Sequence, residues 1–569
     1  PRTFYMEARN FRFSIDRGGT FTDIYAEIPT APYFRVLKLL SVDPANYADA
    51  PREGIRRILQ EVTGKEISRS EKVPTQNIEW IRMGTTVATN ALLERKGERT
   101  LLLTTKGFRD LLKIGNQTRP KIFDLEISKP ELLYERVLEI DERLCLRSAD
   151  YVEHHSGRIE DELVKTYERH EHLGHHDHQG EAKTGSRNSG AKFLKGVTGE
   201  WAEVLQAPDL DALRAQLKAI REETGIESVA IVLLHSFNFP SHELEIGALC
   251  EELGFKQVSM SHDLSPTIKV VPRGHTATVD AYLTPLIKKY VKGFSDGFDS
   301  DFHRVDVSFM MSDGGLCPMS SFNGFRSILS GPAGGVVGYS SFYNDKPMIG
   351  IDMGGTSTDV SRFAGEYEHV FETETAGVFI QAPQLAIETV AAGGGSRIFF
   401  KSGLFVVGPE SSSAHPGPVC YRKDGYLAIT DCNLVLGRVL PDYFPKIFGK
   451  NEDQPLAADL SQQALQELAQ QINAYYAAQP DAQDFKPLSV DEVAYGFIRV
   501  ANEAMCRPIR NITEAKGYEP ATHVLSVFGG AGPQHACAIA RSLGMKQIFV
   551  PRFASILSAY GIGLADVVF

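Results

Sequence analysis

Cysteine is scarce and scattered. Seven occur in 569 residues, at Cys145, Cys250, Cys317, Cys420, Cys432, Cys506 and Cys537, with no CxxC pair. That argues against a disulfide framework or a zinc knuckle and points to a reducing cytosol. No stretch approaches the roughly 18 consecutive apolar residues of a membrane span, and Pro1 to Asn10 lack the charged-then-apolar order of a secretory signal. A basic stripe is also missing. The net charge of −12 comes from 60 Lys and Arg mixed with 72 Asp and Glu, so neither nucleic acid nor an anionic membrane is an expected partner. The chain opens without methionine and stops on the apolar Leu564-Ala-Asp-Val-Val-Phe569, from which a piece of a longer polypeptide is expected. What remains, 43% hydrophobic and 23% charged residues with 50 glycines, describes a globular cytoplasmic enzyme too long for one core.

The most informative feature is a repeat. Ile15-Asp-Arg-Gly-Gly-Thr-Phe-Thr-Asp23 recurs as Ile351-Asp-Met-Gly-Gly-Thr-Ser-Thr-Asp359, with seven of nine positions identical. Alternating residues flank each copy, so each reads as a β-hairpin whose Gly-Gly pair makes the turn. Around them strands and helices alternate: the strand at Trp80–Met83 runs into a helix near Asn90, and the helix from Leu210 to Glu223 precedes the apolar strand from Ser228. The pattern predicts an α/β architecture. The run Glu171-His-Leu-Gly-His-His-Asp-His178, inside a polar stretch from 154 to 198, reads as a solvated surface insertion rather than a metal site.

Two such hairpins are suited to phosphate. Gly18, Gly19, Gly354 and Gly355 let backbone N–H groups approach phosphate oxygens, and the hydroxyls of Thr20, Thr22, Thr356 and Thr358 add donors. Asp16 and Asp352, at the hairpin starts, are placed to orient a hydrated Mg²⁺ and the reacting oxygen. Asp23 and Asp359, at the exits, read as structural. A later strand, glycine loop and helix start, Leu525-Ser-Val-Phe-Gly-Gly-Ala-Gly-Pro533, offers Gly529, Gly530 and Gly532 to an adenosine. Gly334 and Gly335, opening a helix before the second hairpin, are expected to line the nucleotide cleft, with close helix packing as the alternative. Gly393-Gly-Gly-Ser396 is expected to act as a hinge. Thr85 and Thr86 precede a helix and could receive a substrate carboxylate or simply cap it. Arg273 and His275 could face the cleft or form a structural pair.

Two hairpins followed by a glycine loop, in this order, resemble the acetate and sugar kinase, Hsp70 and actin superfamily. The resemblance implies duplicated actin-like, ribonuclease H-like α/β domains closing over ATP. Within it the chain is similar to the hydantoinase A and oxoprolinase family, through Arg82-Met-Gly-Thr-Thr-Val-Ala-Thr-Asn-Ala-Leu-Leu-Glu-Arg95, Thr105-Lys-Gly-Phe-Arg-Asp110, Val271-Pro-Arg-Gly-His-Thr276, Met311-Ser-Asp-Gly-Gly315, Leu329-Ser-Gly-Pro-Ala-Gly-Gly-Val336 and His415-Pro-Gly-Pro418. The stretches 36–51 and 500–509 resemble the eukaryotic-type oxoprolinase branch. The resemblance implies an N-terminal domain over 10–225 and a second over 226–569. It also implies ATP and Mg²⁺ as cofactors and a cyclic amide, 5-oxo-L-proline, as the substrate opened to L-glutamate. The lactam oxygen would take the γ-phosphate, and a hydantoinase B-like half, fused or separate, would complete the enzyme; a homodimer is left open. A hydantoinase or ketone-carboxylase subunit is the second reading, and an ATP-driven chaperone or scaffold the third.

Overall fold

Both repeats form the hairpins expected of them. The structure is a computed structural model describing residues 10–115, 131–155, 193–375, 377–449, 451, 453–479 and 485–568. The histidine-rich run lies outside these residues. Strands Phe11–Arg17 and Phe21–Glu27 pair antiparallel, as do Met348–Met353 and Thr358–Phe363. Phe11, Phe13 and Ile15 are buried in the first, and Ile349, Ile351 and Met353 in the second. This period of two sends one face of each strand into a core. Each such side chain contributes about 1.5–3 kcal/mol by leaving water.

The hairpins anchor two sheets with the same internal order. In the first, strands run Phe34–Leu40, Phe21–Glu27, Phe11–Arg17, Ile78–Thr85 and Asp306–Met310, with Leu316–Pro318 added at the edge. In the second they run Ile387–Val390, Thr358–Phe363, Met348–Met353, Val524–Phe528 and Gln547–Phe549. In both, the first three strands are antiparallel and the last two lie parallel to the first strand of the hairpin. The repeat is therefore a duplication of a whole lobe, not of a turn.

The domain boundary differs from the expected 225/226. That position falls inside a third sheet, all parallel, ordered Gln257–Met260, Ser228–Val232, Thr100–Thr105 and Arg136–Ile140. Its residues interrupt the first lobe between Ile78–Thr85 and Asp306–Met310, so the first lobe closes only after the last of these strands. One face, with Leu101, Leu103, Val229 and Ile231, packs on helices Leu210–Thr224 and Ser241–Glu252. The other, with Leu102, Ala230 and Val232, meets Ala277 and Ala281 of helix Val270–Ser295. Parallel strands covered on both faces read as unbroken apolar runs. The ends of the polar stretch at 154–198 also belong to the fold: Phe193–Lys195 pairs with Trp201–Gln206.

Two helices lie between the lobes. Ser330–Ser340 follows the last strands of the first lobe, and Leu557–Leu564 those of the second. Their backbones nearly touch: a methyl on Gly561 would stand 1.9 Å from the Gly334 carbonyl oxygen and 2.5 Å from Gly338 N. The chain end returns to the first sheet, where Leu316 N donates to the Asp566 carbonyl at 2.8 Å and Val568 N to that of Leu316 at 2.8 Å.

Candidate active site

The two hairpin tips meet. A methyl on Gly355 would stand 2.4 Å from Thr20 Oγ1, and one on Gly19 would stand 3.6 Å from Thr356 Oγ1 and 3.7 Å from Asn90 Nδ2. Each tip is a tight turn closed by one backbone bond, Gly18 N to the Phe21 carbonyl and Gly354 N to the Ser357 carbonyl, both 3.0 Å. Thr20 Oγ1 is buried without a hydrogen-bond partner among the described residues, and Thr356 is exposed. These two hydroxyls stay clear of bonds to other described residues.

The other two threonines do not. Thr22 is fully buried and its hydroxyl lies 3.1 Å from Ser41 Oγ, which in turn donates to the Gly18 carbonyl. Thr358 is buried and donates to the Ala392 carbonyl. Both point away from the facing tip because the alternation that sets Thr20 and Thr356 between the two tips turns them into the fold. The run Gly393–Gly395 is a backstop rather than a hinge: Gly394 N and Gly395 N bond the carbonyls of Gly354 and Gly355 at 3.0 and 2.6 Å. A Gly393 side chain has no room, since its first carbon would stand 2.6 Å from the Gly355 carbonyl oxygen. Gly393→Ala should therefore displace the second tip and weaken ATP binding on the order of tenfold, the effect of a modest overpacking penalty, measured by isothermal titration.

The four aspartates of the repeat form one electrostatic unit. Asp16 stands opposite Asp23 across its hairpin, and Asp352 opposite Asp359. Like charges paired across strands repel. Burial, with the charges of Asp23 and Asp352 behind it, pushes Asp16 up to about 8. Burial pushes Asp359 up to about 7 and Asp352 up to about 6, the last restrained by a hydrogen bond from Ser558. The cation acting on Asp16, Asp23 and Asp352 is Lys38, which ion-pairs with Asp23 and donates to the Ser555 carbonyl at 3.1 Å. Asp359 accepts from Thr389 Oγ1 at 2.6 Å. Asp23 and Asp359 thus have partners of their own, whereas Asp16 Oδ1 is buried with none among the described residues.

A site short of positive charge, with an orphaned carboxylate oxygen, fits a divalent cation. Among the described residues no three His, Cys, Asp or Glu side chains gather to hold a bare metal ion. Mg²⁺ needs no such cage, because it keeps waters and shares one or two carboxylates with phosphate oxygens.

The glycine loop behind Asp352 is closely fitted. Gly529 adopts φ +79°, and a methyl there would stand 2.4 Å from Asp352 Oδ1. Gly532 is buried, but Gly530 is exposed and faces open space, a surface against which a flat ring can lie.

Several expected contacts are placed elsewhere. Gly334 and Gly335 are buried against helix Leu557–Leu564 and Phe528, so helix packing, not cleft lining, accounts for them. Their neighbour Gly331 is the one beside the site: a methyl on it would stand 2.9 Å from Asp16 Oδ1. Thr85 N is bonded by Ser330 Oγ at 3.0 Å, and Thr86 N and Oγ1 by the Arg17 carbonyl at 3.1 and 3.3 Å. These donors are spent, leaving no carboxylate hole. Arg273 is wholly buried in the inserted unit, donating to Ser236 Oγ, to Ser261 Oγ at 2.5 Å and to the Leu233 carbonyl at 2.9 Å, with Glu243 at 3.7 Å. Its role is internal. His275, in the same helix, keeps a partly buried ring without a hydrogen-bond partner among the described residues, and burial lowers its pKa. Sequence reasoning missed Lys38, Asn90 and Ser558, whose positions relative to the tips depend on strand pairing and helix crossing.

A model of the Hydantoinase/oxoprolinase family matches residues 273–569, and one of its N-terminal region matches residues 12–254. The chain belongs to the hydantoinase/oxoprolinase family. Among relatives, 5-oxoprolinase of Dictyostelium discoideum is 57% identical over 98% of this chain, which spans 43% of that protein's length. Two solved structures of ATP-dependent enzymes superpose on nearly all of it. Nucleotide-free acetone carboxylase gives a TM-score of 0.71 at 23% identity, covering 98% of this chain and 70% of that one, a likeness of fold. The caprolactamase of Pseudomonas jessenii gives 0.67 at 26% identity, covering 98% and 71%. A hydantoinase/oxoprolinase chain with the strand order described above has the duplicated α/β architecture expected of it. No helix among the described residues is long and apolar enough to cross a membrane.

Proposed function

We propose that this chain is the ATP-binding, phosphoryl-transferring portion of an enzyme that hydrolyses 5-oxo-L-proline to L-glutamate, with ADP and phosphate formed alongside. The observation that carries the phosphoryl part is the meeting of two duplicated glycine tips beside a cluster of under-compensated aspartates. The choice of lactam is supported by the 57% identity to a 5-oxoprolinase.

A five-membered lactam resists hydrolysis because of amide resonance, and ATP supplies the driving force by activating its carbonyl oxygen. The protein's part is positioning and charge neutralisation. Asp16 and Asp352 would orient hydrated Mg²⁺. Thr20, Thr356 and the amides of the glycine tips would hold phosphate oxygens, with Gly530 offering the surface for adenosine. Lys38, ion-paired with Asp23, ties down the exit of the first hairpin. Of the expected lactam contacts, His275 remains the candidate. A hydantoinase B-like half, in the same polypeptide or as a partner subunit, would complete the site, and the seven free thiols suit a cytosolic setting.

A coupled assay for ADP and glutamate tests the reading. The chain alone should bind Mg·ATP but make glutamate poorly, and adding a hydantoinase B-like half should restore turnover. Hydantoins and caprolactam serve as competing substrates. Robust glutamate production by the isolated chain would contradict the division of labour, and preference for another ring would reassign the substrate.

A further inference from the structure

The two lobes are duplicated, but their aspartates are not treated alike. Each lobe ends in a central helix whose start abuts that lobe's own hairpin aspartate: Gly331 lies beside Asp16, and Ser558 beside Asp352. Both helices open on a Leu-Ser pair, Leu329-Ser330 and Leu557-Ser558. The hydroxyls then diverge. Ser330 Oγ donates to the Thr85 carbonyl at 2.8 Å and accepts from Thr85 N, tying the helix to the neighbouring strand. Ser558 Oγ donates instead to Asp352 Oδ2 at 2.9 Å and does not cap its own helix.

The surroundings of Asp352 leave it little freedom. On one side Gly529 presses on Oδ1, where a methyl would stand 2.4 Å away. On the other Ser558, 6% exposed, is itself held by the facing helix. A methyl on Gly335 would stand 3.1 Å from Ser558 Oγ, and one on Gly334 would stand 2.8 Å from the Ser558 carbonyl oxygen. The glycine pair that does not line the cleft therefore serves it indirectly, by letting Ser558 come close enough to reach Asp352. Asp16 has no equivalent, for Gly331 brings no side chain and Asp16 Oδ1 is left without a donor among the described residues.

We propose that Ser558 is a positioning residue that locks Asp352 in one orientation toward the metal, making Asp352 the rigid metal arm and leaving Asp16 as the arm free to serve the reacting oxygen. The proposal rests on the phosphoryl-transfer reading above. Hydrogen bonds behind metal-orienting groups set ligand direction, and their removal commonly weakens metal affinity about 10- to 100-fold.

The test uses Mn²⁺ in place of Mg²⁺, with a non-hydrolysable ATP analogue, and reads Mn²⁺ affinity by electron paramagnetic resonance. Ser558→Ala should weaken Mn²⁺ binding in the ternary complex about tenfold or more, with nucleotide affinity and thermal midpoint nearly unchanged. Ser558→Thr, which keeps the hydroxyl, should restore the affinity. Ser558→Ala with unaltered Mn²⁺ affinity, or a loss that Thr does not rescue, overturns the role of Ser558 alone. Wild-type protein that binds no Mn²⁺-nucleotide overturns the phosphoryl-transfer reading, and this proposal with it.

Discussion

Asp16→Asn and Asp352→Asn should each lower ATP turnover by about a hundredfold or more while changing nucleotide affinity only a few-fold, the pattern of groups that act on developing charge rather than on ground-state binding. The amide keeps the size of the carboxylate and removes its charge from a cleft where Lys38 is the cation acting on Asp16, Asp23 and Asp352. ADP release followed beside equilibrium binding of a fluorescent ATP analogue separates the two quantities, and a fully active double variant removes these carboxylates from the chemistry. The same cluster sets a pH dependence. Since burial raises Asp16 to about 8 and Asp352 to about 6, a proton would compete for each carboxylate with the Mg²⁺ proposed above. Cation affinity should therefore rise as pH increases through this window, and loading the cation should release protons detectable as a buffer-dependent heat.

Arg273→Met should destabilise the inserted parallel-sheet unit by about 3–5 kcal/mol, because it takes the guanidinium from the buried Glu243 carboxylate, leaving His262 as its ion-pair partner, and strips Ser236, Ser261 and the Leu233 carbonyl of a donor. Burial opposes the charge on Glu243, but His262, Arg273 and Ser261 together hold it down at about 2. Urea unfolding of the whole chain measures the loss, followed by a probe placed in the inserted unit. Removing both charges, as Arg273→Met with Glu243→Gln, should recover part of it, since part of the penalty belongs to a buried carboxylate that has lost one of its two ion-pair partners. ATP affinity should survive both changes, because the network joins Leu233, Ser236, Ser261 and Arg273 within the inserted unit and makes no bond to either hairpin. A specific loss of ATP binding without loss of stability would return Arg273 to the cleft.

The contrast between these residues shows what a sequence reveals. The hairpins were legible because a Gly-Gly turn between alternating strands is a local pattern, and its recurrence tied two distant segments to one role. Thr22 and Thr358 were overread, since a motif does not say which hydroxyl of a hairpin points inward. Gly334 and Gly335 carried a real signal of close approach, but a helix backbone and a phosphate demand the same missing side chain. Arg273 stands in a polar motif, and its partners Ser236, Glu243 and Ser261 come from other segments of the inserted sheet. The boundary at 225/226 was misplaced because the first lobe pairs Ile78–Thr85 with Asp306–Met310 across some two hundred residues of insertion, a long-range pairing that no local pattern marks.

The crossing of helices Ser330–Ser340 and Leu557–Leu564 at Gly334, Gly338 and Gly561 has a mechanical consequence. With no side chain between the two backbones, the contact has the form of a pivot bearing: rotation about the touching point would displace little, whereas sliding or lifting would have to undo interlocked packing. Because one helix begins beside Asp16 and the other beside Asp352, any turn of this bearing would re-aim both carboxylates together. On the phosphoryl-transfer reading proposed above, admitting nucleotide and aligning the metal would then be a single degree of freedom.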